Sequence, residues 1–224
     1  MSGCPVPDAL VVSGAGPYLD PWHDFAATSA RLAAILEGLG HRVDITGEVE
    51  DALADPGDVR LLVVNIGNPA EPRPPEQMVA AAGGLARHLA GGGGLLGIHC
   101  SSTSLTGMRE WPGILGGRWV RGRTMHPPQD ECVVSTTPAA HPITRGLTDF
   151  TVVDERYSYL ETTPDVTVLY EHRFEDETHP LVWAREAGPG RVVYDALGHH
   201  VGSYDAPGHR VLLERAMEWL TSAR

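Results

Sequence analysis

The sequence contains no lysine, and all 17 of its basic residues are arginine. That excludes a Schiff-base lysine and the lysine of a Walker-type phosphate loop. Cysteine is scarce. Cys4, Cys100 and Cys132 are odd in number and widely spaced, which argues against a disulfide framework and for a reducing, cytoplasmic setting. Long apolar runs are missing; none approaches the ~20 residues of a membrane span. Met1 to Pro7 has no basic region followed by an apolar stretch, so no secretory leader is predicted there. Positive charge is in deficit, with 29 acidic residues and a net charge of −12. Without a basic stripe, nucleic acid is not an expected partner.

What remains is ordinary globular composition, 42% hydrophobic and 21% charged over 224 residues. One domain over 1–224 is the economical reading. In the first half, apolar runs alternate with helical patterns. Ala9 to Ser13 reads as a buried strand meeting Gly14-Ala15-Gly16. Phe25, Leu32, Ile35, Leu36 and Leu39 recur at helical spacing before Gly40. Arg42 to Thr46, Leu61 to Ile66 and Leu95 to Ile98 read as strands, and Pro74-Pro75 opens a helix to about His88. This βαβ rhythm predicts a parallel sheet with helices on both faces. From Trp119 to Val193 the runs are short and rich in Val, Thr and Tyr. They predict a β-rich elaboration, closed by a helix over Val211 to Leu220.

In open α/β sheets ligands bind beyond the carboxyl ends of the strands. The candidate loops are therefore 14–24, 67–72, 99–103 and 198–203. Gly97-Ile98-His99-Cys100-Ser101 is a strand running into a tight turn, which projects one side chain above the sheet. Class I glutamine amidotransferases carry Gly-x-Cys-x-Gly at such a turn. Aligned on Gly97, His99 stands at the nucleophile position, Ser101 replaces the second glycine, and Cys100 falls one residue late. Gly14-Ala15-Gly16 lacks the rest of a dinucleotide fingerprint, so no nucleotide cofactor is expected.

The ordered series of motifs resembles the ThuA-like (trehalose utilisation) family, within the class I glutamine amidotransferase-like, flavodoxin-like superfamily. The series runs through His23-Asp24, Gly97-Ile98-His99, Gly116-Gly117-Arg118, His126-Pro127 and His141-Pro142-Ile143-Thr144-Arg145-Gly146-Leu147. It continues with Asp154-Glu155-Arg156-Tyr157, Pro180-Leu181-Val182-Trp183, Gly190-Arg191-Val192-Val193-Tyr194 and Leu197-Gly198-His199. The resemblance implies a three-layer sandwich and a small-molecule carbohydrate partner, in the catabolism of a disaccharide or keto-sugar. It also implies loss of the amidotransferase cysteine.

The titratable candidates follow from position. His99, Glu155 and His199 are expected to supply acid–base chemistry on a sugar. Adjacent strand residues point to opposite faces, so only one of Asp154 and Glu155 should reach a cleft, and Glu155 with Tyr157 is the predicted pair. His23, Asp24, Ser101, Tyr157 and Trp111 are candidate substrate contacts; Asp24 reads equally as a helix cap. Trp119 and Trp183 are further candidates to stack on a sugar face. No His-Glu-x-x-His or Cys-x-x-Cys is present. A divalent metal such as Zn²⁺ could still be assembled from dispersed loops, with His126, His99 and His199 as ligands beside Glu155. The alternatives are a non-catalytic sugar- or partner-binding protein and a Cys100–His199 amidase. A homodimer is compatible with the sequence.

Overall fold

The computed structural model describes residues 7–222. Cys4 and nearly all of the Met1 to Pro7 stretch lie outside them. In chain order the elements are β1 (Ala9–Ser13), α1 (Phe25–Gly38), β2 (Val43–Thr46), α2 (Val49–Ala54), β3 (Leu61–Asn65), α3 (Pro75–Ala90), β4 (Gly94–Ile98), α4 (Trp111–Leu115) and β5 (Gly117–Arg118). There follow β6 (Asp130–Thr136), β7 (Phe150–Asp154), β8 (Glu161–Thr162), β9 (Thr167–Phe174), β10 (Glu177–Ala187), β11 (Gly190–Asp195) and α5 (Pro207–Thr221). Short 3-10 turns cover Gly16–Tyr18, His99–Ser102 and Val201–Asp205.

One nine-stranded sheet runs in the order β2-β1-β3-β4-β11-β10-β9-β6-β7. The first five strands are parallel and the remaining pairings antiparallel. The parallel part has the flavodoxin strand order, with its switch point between β1 and β3. β3 and β4 are buried at every residue, as continuous apolar runs covered on both faces must be. α1 packs beside α5, and α2 beside α3, against opposite faces of the sheet. Pro75 and Pro207 open their helices, where a missing N–H costs nothing. The sequence pattern does not show α2, α4 or the two-stranded β5–β8 sheet. These elements are only 2–6 residues long, below the length at which hydrophobic periodicity becomes visible. No helix among the described residues is long and apolar enough to cross a membrane.

Register positions the site. Ser13 pairs with Asn65, and Ile98 with Asp195, so β1 ends level with β3 and β4 level with β11. The loops that leave these strands therefore start on one plane.

Candidate functional site

Three of those loops converge. In the loop after β1, Asp20 accepts the main-chain N–H groups of Trp22 (2.9 Å) and His23 (3.0 Å). Its carboxylate also lies 2.7 and 2.9 Å from His23 Nδ1. Nδ1 therefore carries the proton, and Nε2 keeps its lone pair. After β4 the chain turns so sharply that His99 has φ +43°, a left-handed conformation in which a non-glycine residue is strained. A side chain on Gly97 would meet Leu115 Cδ1 at 2.5 Å and Ser101 Oγ at 2.9 Å, so the glycine is required for the turn to close. Tyr194 donates its hydroxyl to the His99 carbonyl (2.8 Å). His99 Nδ1 donates to the Ala196 carbonyl (2.6 Å), which again leaves Nε2 free. After β11, Gly198 takes φ +111° and delivers His199.

The fourth group comes from the antiparallel side. Glu155 follows β7, and its Oε2 lies 3.4 Å from His99 Nε2 and 3.4 Å from His199 Nδ1. His126 Nε2 is 3.7 Å away from it. The ring centroids of His23, His99 and His199 are 4.6–5.5 Å apart. Tyr157 stacks on His99 at 4.4 Å, and its hydroxyl is 3.0 Å from Nε2. Burial acts to raise the Glu155 carboxyl, but the His199 and His99 imidazoles overcome it and hold the group well below the usual carboxylate range. Burial, with His99 nearby, pushes His23 down; the Glu155 carboxylate pulls His199 up.

One ligand atom each from His23, His99, Glu155 and His199 lies within 4.8 Å of all the others. A tetrahedral Zn²⁺ with bonds of about 2.0–2.2 Å sets its ligand atoms about 3.3–3.6 Å apart. The two Glu155 distances fall in that range. His199 Nδ1 is buried and faces Glu155 Oε2 at 3.4 Å without well-formed hydrogen-bond geometry, as two ligands of one ion would stand. Two of the three imidazoles are oriented from behind by an oxygen acceptor, the arrangement common around metal-ligating histidines. The donor set fits a divalent transition metal. A second group, Asp20, His23 and Cys100, adjoins it; Cys100 Sγ is 3.2 Å from His23 Nε2.

Several expected residues lie elsewhere. Asp24 caps α1, accepting the Ala27 N–H at 3.0 Å, and it is Asp20 that reaches His23. Ser101 is fully buried with its hydroxyl toward Gly97, away from the four-group cluster. Trp111 is buried and gives its indole N–H to the Ser101 carbonyl (2.7 Å), bracing the turn from below. Trp183 likewise binds the Leu115 carbonyl at 2.9 Å. Both indoles are core, with no face left for a sugar. His126 stands beside Glu155 at 3.7 Å but outside the four-group cluster, which includes His23. Trp119 does reach the site, 4.8 Å from the Tyr157 ring and 6.3 Å from His126. Asp20, which holds His23 through its carboxylate, escaped sequence reasoning.

The sheet order and the turn at His99 define a class I glutamine amidotransferase-like α/β protein with a histidine–carboxylate cluster at the strand ends. The chain belongs to the ThuA family, described as trehalose utilisation, whose model matches residues 9–220. A thua-like protein from Parabacteroides merdae has a similar structure, with TM-score 0.75, 20% identity, and coverage of 96% of this chain and 89% of that one. A thua-like protein from Bacteroides uniformis gives 0.71, 18%, 95% and 90%. A GMP synthase-type protein from Thermoplasma acidophilum gives 0.55, 15%, 94% and 94%, consistent with the amidotransferase-like fold. No curated protein matches this sequence.

Proposed function

We propose that the protein is a carbohydrate-processing enzyme that uses a divalent metal ion held by His23, His99, His199 and Glu155. The observation that carries this reading is the convergence of three imidazoles and one carboxylate at the strand ends, with ligand-like spacing. The family's role in trehalose utilisation supports a disaccharide or keto-sugar as substrate. When bound, the cation supplies Lewis-acid polarisation of a sugar oxygen.

The chain's own residues supply the rest. Tyr157, whose hydroxyl lies beside His99 Nε2, donates a hydrogen bond to the substrate. His126 holds its Nδ1 proton on the Pro127 carbonyl (3.0 Å) and turns Nε2 toward Glu155, so it carries a proton in and out at the half-open mouth. Trp119 walls the cleft and Trp22 offers an apolar face to a sugar ring. Cys100 is not the nucleophile in this reading. Its thiol is buried, and burial pushes its pKa far above the ordinary thiol value, which leaves almost no thiolate.

Elemental analysis of protein purified without chelator tests the proposal. We expect about one equivalent of zinc or a similar ion, lost in both His99→Ala and Glu155→Gln. Turnover of trehalose, or of its oxidised keto derivative, is expected to fall with it. Metal-free protein whose sugar turnover survives in both variants overturns the reading. Sugar binding without turnover in the wild type would leave a binding module.

A further inference from the structure

The two carboxylates at the end of β7 point apart, and the one outside the cleft makes the larger number of hydrogen bonds. Asp154 is fully buried. Its Oδ1 accepts the main-chain N–H of Glu155 (2.8 Å) and of His199 (3.2 Å). Its Oδ2 accepts the Gly198 N–H (2.7 Å) and the Ser203 hydroxyl. One carboxylate thus clasps the backbones of the two segments that carry Glu155 and His199. Those segments come from opposite ends of the strand order β11-β10-β9-β6-β7, and neither has a ladder partner at that point.

We infer that Asp154 is a positioning residue that sets the Glu155–His199 spacing, and that Ser203, His209 and Asp195 orient it from behind. The supporting chain is continuous. Ser203 gives its only proton to Asp154. His209 Nδ1 faces the Ser203 carbonyl (2.9 Å) and hydroxyl oxygen (3.0 Å), both acceptors toward it, and Nε2 faces Asp195 Oδ2 (2.9 Å). Both ring nitrogens therefore donate. Asp195 is held in turn by the Leu197 N–H at 2.9 Å. The order carboxylate, imidazole, hydroxyl is that of a hydrolase triad. Here Ser203 and His209 are fully buried and Asp195 nearly so, and the hydroxyl proton points at a carboxylate. Ser203 has no access to substrate, and the imidazole beside it donates a proton instead of accepting one, so it lacks the base that a nucleophile needs.

The inference rests on the metal reading only for its first readout. Asp154→Asn keeps the shape but sets an NH₂ against N–H and O–H donors. For this variant we expect Co²⁺ affinity about 10- to 100-fold weaker than wild type, the usual range for a residue that orients ligands. The visible cobalt spectrum should change as well, because the angles between ligands change. A role in stability alone would lower the melting temperature yet leave the spectrum and the affinity of the folded protein as they were, and that result overturns the inference. The second readout is amide hydrogen exchange at Glu155, Gly198 and His199, expected to quicken at least tenfold while β1 and β3 stay protected. If wild-type protein binds no Co²⁺, the metal proposal fails, and exchange alone decides for Asp154; unchanged exchange sinks it. Should Asp154→Asn not fold, Ser203→Ala removes a single donor and is read the same two ways. We expect smaller shifts in the same direction, and no shift in either readout counts against the inference.

Discussion

The five parallel strands deliver His23, His99 and His199 from loops at one end of the sheet, after β1, β4 and β11, whereas the antiparallel strands return across the molecule to deliver Glu155 and Tyr157. The parallel half behaves as such sheets do: ligand-bearing loops sit at the carboxyl ends, at a plane fixed by register. The antiparallel half has no such rule. Glu155 reaches His199 because Asp154 is hydrogen-bonded to the Gly198–His199 backbone, which fastens the far edge strand over the end of β11. Imidazoles thus come from one topology and the carboxylate from the other, and the site exists only where the two are joined.

The largest expected effect breaks that join. Glu155→Gln leaves all three imidazoles of the parallel half in place but removes the only charge among the four groups. Co²⁺ affinity should fall at least 100-fold, beyond what loss of an orienting residue gives. Retention of wild-type affinity in a cobalt titration would mean that the parallel half suffices alone. Next in size is an acid-sensitivity of the antiparallel half. His172 on β9 is buried, with Nε2 3.2 Å from the Tyr157 carbonyl, and burial pushes its pKa down to about 4. The folded state thus excludes a proton that the unfolded chain takes up near pH 6.5. This group leaves stability untouched above pH 6.5, and the loss grows as pH falls toward 4, reaching roughly 2–3 kcal/mol. Urea melts across that window should show a flatter pH dependence in His172→Phe than in wild type.

A smaller effect probes the parallel half. Trp111→Phe removes the indole N–H and part of a buried ring, leaving the Ser101 carbonyl without its donor beside a small void, for a loss of about 2 kcal/mol in urea denaturation. A stabilised variant would mean that the turn does not depend on this bond. Smallest is Cys100→Ala, for which sugar turnover should stay within about threefold of wild type. Abolition of turnover would revive the cysteine amidase and turn attention away from the four-group cluster.

The same division governs what the sequence reveals. His99 and His199 are legible because strand-end position follows from apolar runs, and β4 and β11, which precede them, are such runs. Glu155 is legible from side-chain alternation along β7, which turns Asp154 away from the cleft. The role of Asp154 is not legible, since it depends on Gly198 and Ser203 some 44 and 49 residues on. Asp20 is a different case. It lies three residues from His23, but Asp24 is adjacent and offers an equally good local argument, and only the loop path after Gly14 decides between them. Trp111 and Trp183 misled because a buried indole with a carbonyl partner and an exposed one waiting for a sugar look alike in sequence.

The backbone at His99 carries a consequence for how this fold can change. A left-handed residue there would be most at ease as glycine, yet the position holds a histidine whose side chain is buried. A glycine variant would relax the turn but delete a buried ring stacked on Tyr157 and leave the Ala196 carbonyl without its donor, so the packing lost exceeds the strain relieved. A histidine at that corner is therefore a debt the rest of the turn must carry, through Tyr194, Ala196 and Gly97. The strained backbone is thus held in place by the contacts of the same residue's side chain.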